Sequence, residues 1–253
     1  GHASADGDGG AAKVEFIASG TFTSVVLGDG TAGNGTAGGA TLEFDAAANE
    51  TFTGAVTVAT DGHGTINVEN SNVGSTGLTV ASQIGTDSLR LKALNVLDGA
   101  ATKGTFSSDV YVDTLTVDST NAAATGDFNA DVYTTAIAVT DGASGNIATA
   151  NFAKDVTAAI TLTDASGGDD AVLRFNGAAA QTMTGAIAGA ASNSGNVQNS
   201  NTVGVTFGSA LSNLHEVILD ASSVTTFDST VGANDATVGD AANITLKGAV
   251  TLA

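Results

Sequence analysis

The amino-acid sequence predicts an all-β fold, a right-handed parallel β-solenoid with rungs of about 22 residues. Three observations lead to this prediction: a short phrase that recurs at a nearly constant interval, a composition rich in strand and turn residues, and the absence of proline. A fixed period of this length is typical of repeat proteins, in which each unit buries its apolar face only against its neighbours. Such proteins usually act through their shape and outer surface.

The recurring phrase consists of phenylalanine, then aspartate three residues later, then valine. It occupies Phe106–Val110, Phe128–Val132 and Phe152–Val156, so the phenylalanines are 22 and then 24 residues apart. Stacked rungs would place these phenylalanines in one inward ladder with the valines beside it. A second apolar pair follows each phrase, and we expect these pairs to line the opposite wall: Leu115 and Val117, Ile137 and Val139, and Ile160 and Leu162.

A longer repeat lies over the short period. The segment Ala40–Val56 recurs 131 residues later as Ala171–Ile187, with nine of 17 positions identical. Because 131 is close to six steps of 22, we expect the two copies to be separated by a whole number of rungs.

The composition supports a parallel ladder. The chain has 33 glycines but no proline, cysteine or tryptophan. Every interior strand of a solenoid must donate its N–H groups to the next rung, which proline cannot do. Turn sequences such as Asp61-Gly62, Asp98-Gly99 and Asp141-Gly142 separate the strand-like runs. Disorder is the alternative for a Gly/Ser/Ala/Thr-rich chain, but the ordinary apolar fraction of 42% and the regular period favour a folded one.

The charge balance excludes several classes of partner. Twenty-six acidic residues and seven basic ones give a net charge of −19. Nucleic acids and anionic membrane surfaces both require a basic face, so we expect neither as a partner. No apolar run is long enough to cross a bilayer as a helix, and we expect no membrane insertion of this segment. These features predict an extracellular protein.

The aspartates are the candidate functional residues. In stacked rungs we expect them to form two columns, Asp109, Asp131 and Asp155 in one, and Asp118, Asp141 and Asp164 in the other. Carboxylates about 5 Å apart repel by about 1 kcal/mol per pair even in water. Either they extend into solvent as turn-capping residues, or a hard cation such as Ca²⁺ lies between the rungs.

One local segment adds to the calcium hypothesis. Gly167–Leu173 partly resembles the nonapeptide calcium repeat, although it lacks the third glycine and any tandem copy. Within it, Asp169 and Asp170 are the best single candidates for a metal site.

We expect no enzymatic activity and no catalytic residues. The chain has no nucleophile-elbow motif, and its three histidines, His2, His63 and His215, are far apart in sequence. Sugar-cleaving β-helices use carboxylates with basic residues and aromatic platforms, but this chain offers only two tyrosines and two arginines. A carboxylate pair for glycoside hydrolysis requires a three-dimensional spacing that the sequence does not supply.

The sequence predicts one folded domain. Residues 1–10 resemble the remnant of a cleaved tag followed by a flexible segment, and residues 11–253 form the expected solenoid. The last residues, Ala249–Ala253, have the pattern of a strand interior. We therefore expect an open solenoid edge here and a longer parent chain.

The longer repeat also carries a family resemblance. Leu42–Val56 and Leu173–Ile187, together with Val205–Ser209, are similar to the strand repeats of S-layer proteins and autotransporter passenger domains of bacteria. This resemblance implies a parallel β-helix at the bacterial cell surface, with self-association or contact with other surface-layer subunits, and calcium dependence if it is an S-layer protein. The alternative that it implies is an adhesin or passenger stalk that binds a host or environmental ligand. It implies no catalytic residue.

Overall fold

The computed structural model describes residues 13–16, 20–28, 39–45, 50–69, 77–97, 102–142, 146–165, 171–191 and 194–252. Over these residues the chain is a parallel β-solenoid of 23 strands, and the predicted fold class is confirmed. The rungs are about 23 residues long, against the predicted 22. None of the described residues belongs to a helix that could cross a membrane.

The strands have three to ten residues each. In chain order they are β1 (Lys13–Phe16), β2 (Gly20–Leu27), β3 (Thr41–Asp45), β4 (Glu50–Val58), β5 (His63–Glu69), β6 (Leu78–Val80), β7 (Leu91–Leu97), β8 (Thr102–Phe106), β9 (Val110–Ser119), β10 (Ala124–Phe128), β11 (Val132–Asp141), β12 (Ala148–Phe152), β13 (Val156–Asp164), β14 (Ala171–Phe175), β15 (Gln181–Thr184), β16 (Ile187–Gly189), β17 (Asn196–Asn199), β18 (Val205–Phe207), β19 (Leu211–Leu219), β20 (Val224–Phe227), β21 (Val231–Val238), β22 (Asn243–Leu246) and β23 (Val250–Leu252).

The strands form three faces, and each face is identified by a column of residues in register. The first face carries the column Gly20, Phe52, Val80, Phe106, Phe128, Phe152, Phe175, Asn199, Leu219 and Val238. The second carries Val25, Val56, Ile84, Val110, Val132, Val156, Met183, Phe207, Phe227 and Leu246. The third carries Val14, Leu42, Ile66, Leu94, Leu115, Ile137, Ile160, Ile187, Leu211, Val231 and Val250.

Alternation of apolar and polar residues produces these faces, because successive side chains of a strand point to opposite sides. In β9 the burial alternates along Val110–Val112, breaks at Asp113 and Thr114, and resumes at Leu115. The chain turns from the second face to the third at this break. The predicted phenylalanine ladder and its opposite wall are both present in the buried core.

The two copies of the longer repeat occupy different faces, so the prediction of a whole number of rungs between them was wrong. Phe44 of the first copy lies on the third face, in register with Val68, whereas Phe175 of the second lies on the first face above Phe152. The reason is that rungs differ in length: Ile66 and Leu94 are 28 residues apart, but Leu94 and Leu115 only 21. A segment made of a strand, a turn and a second strand can occupy any corner of the solenoid, because every face requires the same alternation of apolar and polar residues.

One corner of the interior is polar, which sequence reasoning did not anticipate. Asn199 takes the place of a phenylalanine on the first face, and its amide donates to Thr225 Oγ1 at 2.6 Å. Asn201 donates to Gln181 Oε1 at 2.7 Å, and the Gln181 amide donates to the carbonyl oxygen of Phe152 at 2.9 Å. These buried amides satisfy backbone groups at the turns of several successive rungs.

Candidate functional site

The first aspartate column forms as predicted, and its carboxylates hold successive rungs together. Asp109 Oδ1 accepts the backbone N–H of Asp131 at 3.3 Å, and Asp131 Oδ1 accepts that of Asp155 at 3.1 Å. Asp155 Oδ1 in turn accepts the N–H of Thr182 at 2.8 Å. Hydrogen bonds from the backbone thus offset part of the repulsion between stacked carboxylates.

This column borders an open surface recess. The recess has a volume of about 340 Å³ and is lined by the three aspartates together with Asn129 and Lys154, among others. It follows the turns between the first and second faces. Lys154 brings a positive charge to an otherwise acidic surface.

Two stacked tyrosines lie beside the recess. The rings of Tyr111 and Tyr133 are 4.7 Å apart between centroids and nearly parallel, at 12°. The Tyr133 hydroxyl donates to Asp131 Oδ2 at 3.3 Å. Burial raises the pKa of both tyrosines above the ordinary 10.0, and the nearby carboxylates of Asp109 and Asp131 raise it further.

The second aspartate column differs from the prediction by one residue. Asp141 is in register with Asp164 of the following rung but with Ser119, not Asp118, of the preceding rung. Asp118 is in register with Thr140 and accepts hydrogen bonds from the backbone N–H and the hydroxyl of Thr120, at 2.9 and 2.6 Å. The column is therefore Ser119, Asp141 and Asp164, and Asp118, near the end of β9, lies outside it.

Ser119 and Asp141 are buried in a group of oxygen atoms. Their exposed fractions are 0% and 1%. Ser119 Oγ lies 3.4 Å from Asp141 Oδ1, 3.1 Å from the Asn146 carbonyl oxygen and 3.5 Å from that of Thr140. Its single proton serves one of these acceptors at a time.

The chemistry of this group suits a hard cation. Calcium takes carboxylate, carbonyl and hydroxyl oxygens, and Asp141, Asp164, Ser119 and Asn146 together supply all three kinds. Within the described ranges, no three His, Cys, Asp or Glu residues are grouped so that they could hold a metal ion. A cation here would take two carboxylates and complete its coordination with neutral oxygens. Asp169 and Asp170 lie outside the described residues.

The two arginines of the chain, Arg90 and Arg174, both have structural contacts. The Arg90 backbone N–H donates to Asp61 Oδ1 at 2.7 Å, and its guanidinium pairs with Asp87 at 3.2 Å. Arg174 Nε donates to Gln198 Oε1 at 2.8 Å along the outer side of the first face. These contacts connect neighbouring rungs and turns.

The last rung presents an open apolar end. Val238, Ile244, Leu246, Val250 and Leu252 are all exposed there. They continue the three core columns and, with residues of the preceding rung such as Phe227, line an opening of about 110 Å³.

No protein-family model, no curated protein and no solved structure matches this chain.

Proposed function

We propose that the protein is a structural component of a bacterial cell surface, an S-layer-type β-solenoid that self-associates and is stabilised by calcium. The observation that carries the proposal is the continuous core, whose third-face column runs in register from Val14 to Val250. A rod packed along its whole length resists bending and offers its sides and ends for contacts. This property suits a scaffold, and the resemblance of its strand repeats to surface-layer proteins agrees with it.

The candidate calcium site is the second column, Ser119, Asp141 and Asp164. Asp141 is a buried carboxylate, which is costly in free energy unless a proton, a cation or hydrogen bonds compensate its charge. A calcium ion held by Asp141 and Asp164 would connect two rungs and neutralise both charges. The same ion would lower the repulsion within a chain of net charge −19.

The thermal stability of variants tests the calcium site. Calcium at 100 times its Kd stabilises a folded protein by about 2.7 kcal/mol, which corresponds to a rise of roughly 5–10 °C in Tm for a chain of this size. We expect this rise in the wild type and in Asp118→Asn, whose carboxylate is outside the column. Asp141→Asn should show no rise, because it removes one of the two carboxylates that would hold the ion.

Light scattering in the same samples tests self-association. Particles should grow when calcium is added to the wild type and should disperse with excess chelator. An equal calcium response in Asp141→Asn and the wild type would rule out this site. A wild-type chain that stays monomeric at every calcium concentration would rule out the assembly function.

The recess beside the tyrosines favours the alternative, an adhesin or passenger stalk. Its carboxylates, its lysine and the edges of Tyr111 and Tyr133 are polar groups that could bind a ligand. Under this alternative the chain remains monomeric in calcium. Binding of a surface glycan or protein would then be lost in Asp131→Asn and kept in Asp118→Asn.

A further inference from the structure

The two tyrosines of the chain form one stacked pair on the outer side of the second face. Tyr111 of β9 and Tyr133 of β11 are in register on neighbouring rungs, with ring centroids 4.7 Å apart and an angle of 12° between the ring planes. Corresponding ring carbons therefore lie about one strand spacing apart, about 4.8 Å. Both tyrosines are partly exposed, so an oxidant in solution can reach them.

The residues that precede and follow the pair in the stack leave the rings room to move. In the preceding rung Gly85 lies against the backbone of Tyr111, and in the following rung the exposed Thr157 is in register with Tyr133. Neither residue covers a ring with a bulky side chain. Small rotations about the side-chain bonds can therefore bring a Cε carbon of one ring against that of the other.

The composition of the chain directs oxidation to this pair. Mild oxidants attack thiols, thioethers, indoles and phenols, and exposure decides how fast a given sulfur reacts. The chain has no cysteine and no tryptophan, and its one methionine, Met183, is fully buried. The phenols of the two tyrosines are thus the exposed groups of this kind in the folded protein.

Asp131 provides an acceptor for the proton that oxidation releases. Burial and the neighbouring carboxylates raise the pKa of both phenols above 10.0, so each phenol is protonated at neutral pH and must lose its proton together with an electron. The Tyr133 hydroxyl donates to Asp131 Oδ2 at 3.3 Å, and this carboxylate can take the proton. Asp109 stands two residues before Tyr111, as Asp131 does before Tyr133.

From this geometry we infer that Tyr111 and Tyr133 are an oxidative modification site, at which a peroxidase-type oxidant joins them into an intramolecular dityrosine that links two neighbouring rungs. The oxidant takes one electron from each phenol, each phenol loses its proton, and the two radicals form a carbon–carbon bond between their Cε carbons. The hydrogens on those carbons leave and the oxygens are protonated again, so two hydrogen atoms are lost in all while one hydrogen peroxide is reduced to two waters. The linkage closes a loop of the unfolded chain as a disulfide does, so the linked protein should have a higher Tm.

Peroxidase and hydrogen peroxide, added to dilute protein in the presence of chelator, test the inference. We expect dityrosine fluorescence, a mass lower by two hydrogen atoms and a product that migrates as a monomer on a denaturing gel. Asp113, Asp118 and Asp127 lie between the tyrosines, so cleavage at aspartates separates residues 111 and 133 in the untreated chain. In the treated chain the two peptides that contain these residues should remain joined.

Matched variants separate the stacked geometry from the general reactivity of phenols. Tyr111→Phe and Tyr133→Phe should each lose the intramolecular product, and wild-type protein unfolded in urea should lose most of it because its rings are no longer held together. Asp131→Asn should slow the coupling several-fold, and added acetate should restore part of the rate because a free carboxylate replaces the missing base. Asp118→Asn, whose carboxylate contacts Thr120, should couple at the wild-type rate.

The outcomes that would overturn this inference do not involve calcium or self-association. Dityrosine formed only between molecules, or an equal yield of the 111–133 product in folded and unfolded protein, would overturn it. Absence of dityrosine while free N-acetyltyrosine in the same mixture is converted would overturn it as well. An unchanged Tm of the linked monomer would overturn the stabilising effect of the linkage.

Discussion

A single aspartate can have two structural functions in this solenoid. Asp131 uses Oδ1 to accept a backbone N–H from the next rung and Oδ2 to accept the Tyr133 hydroxyl. The first interaction is a charge-assisted hydrogen bond that connects two rungs. The second places that charge against a half-buried phenol, where it opposes ionisation of the tyrosine.

We predict that Asp131→Asn lowers the pKa of Tyr133, and to a smaller extent that of Tyr111. Both remain above 10.0 in the variant, because burial is the largest cause of the shift. The ultraviolet absorbance of the phenolates during a pH titration measures this, with Tyr133→Phe to assign the signals. Asp155→Asn removes a similar backbone hydrogen bond farther along the column and should leave the pKa values of both tyrosines unchanged.

The same shift has a consequence for stability. A tyrosine whose pKa is higher in the folded state contributes stability that is complete below pH 10.0 and is lost as the pH rises through the folded value. The wild-type protein should therefore lose stability as the pH rises from 10.0 to the pKa of the tyrosine in the folded state. Tyr133→Phe should lose less, and an equal loss would show that the tyrosine pair is not responsible.

The sequence predicted one aspartate column correctly and misassigned the other. The first aspartate column was predictable because each aspartate stands at the same distance from its phenylalanine. The second was misassigned because Asp118 directly follows the inward Val117, whereas Asp141 stands two residues after the inward Val139. Since strand side chains alternate, that difference places the two aspartates on opposite sides. The spacing was visible in the sequence, but the oxygen group around Ser119 required the structure.

Among the structural elements, the phenylalanine ladder depends on the small residues beside it. Phe106, Phe128 and Phe152 stack 5.0 and 5.1 Å apart at 8° and 18°. The neighbouring inward column has Gly104, Gly126 and Ala150 at these three rungs, and a Cβ at Gly126 would be 2.8 Å from Phe128 Cε2. Where that column changes to Leu173, the next ring, Phe175, is tilted by 32°.

We predict that Gly126→Ala destabilises the protein by about 1–3 kcal/mol, because the added methyl group forces the Phe128 ring out of its stack. Gly232→Ala is the control, since a Cβ there has no neighbour closer than 3.7 Å. It should change the stability by less than about 0.5 kcal/mol. Urea unfolding measures both, and equal losses would show that the glycine is not needed for ring stacking.

The strands were predictable and their placement on faces was only partly so. The short period predicted the register of the central rungs from Phe106 to Leu162, because the repeats there have nearly the same length. Elsewhere the turns vary, and a strand such as β3 takes the third face although its copy β14 takes the first. The interior amides of Gln181 and Asn199 were unpredictable because a polar residue at an inward position normally indicates a turn or an outer surface.

In the whole molecule, a continuous apolar core opposes a large and unbalanced charge. Each rung contacts its neighbours and little else, so the stability is approximately a sum of similar steps. The net charge of −19 is spread along the same rod, and vertically stacked carboxylates repel their neighbours. Burial of apolar side chains and the backbone hydrogen bonds between parallel strands stabilise the fold against this repulsion.

We therefore predict that simple salt stabilises the protein in the presence of chelator. Raising the ionic strength from about 0.01 to 0.1 M shortens the screening length from about 30 to 10 Å, which weakens repulsion between rungs more than it weakens the few ion pairs. The Tm should rise by a few degrees, about 2–4 °C for each kcal/mol of relieved repulsion. Sodium and potassium chloride should act equally, because screening does not depend on the identity of the cation. A Tm that stays constant or falls with salt would mean that the carboxylates are already neutralised, by shared protons or by tightly bound ions that the chelator does not remove.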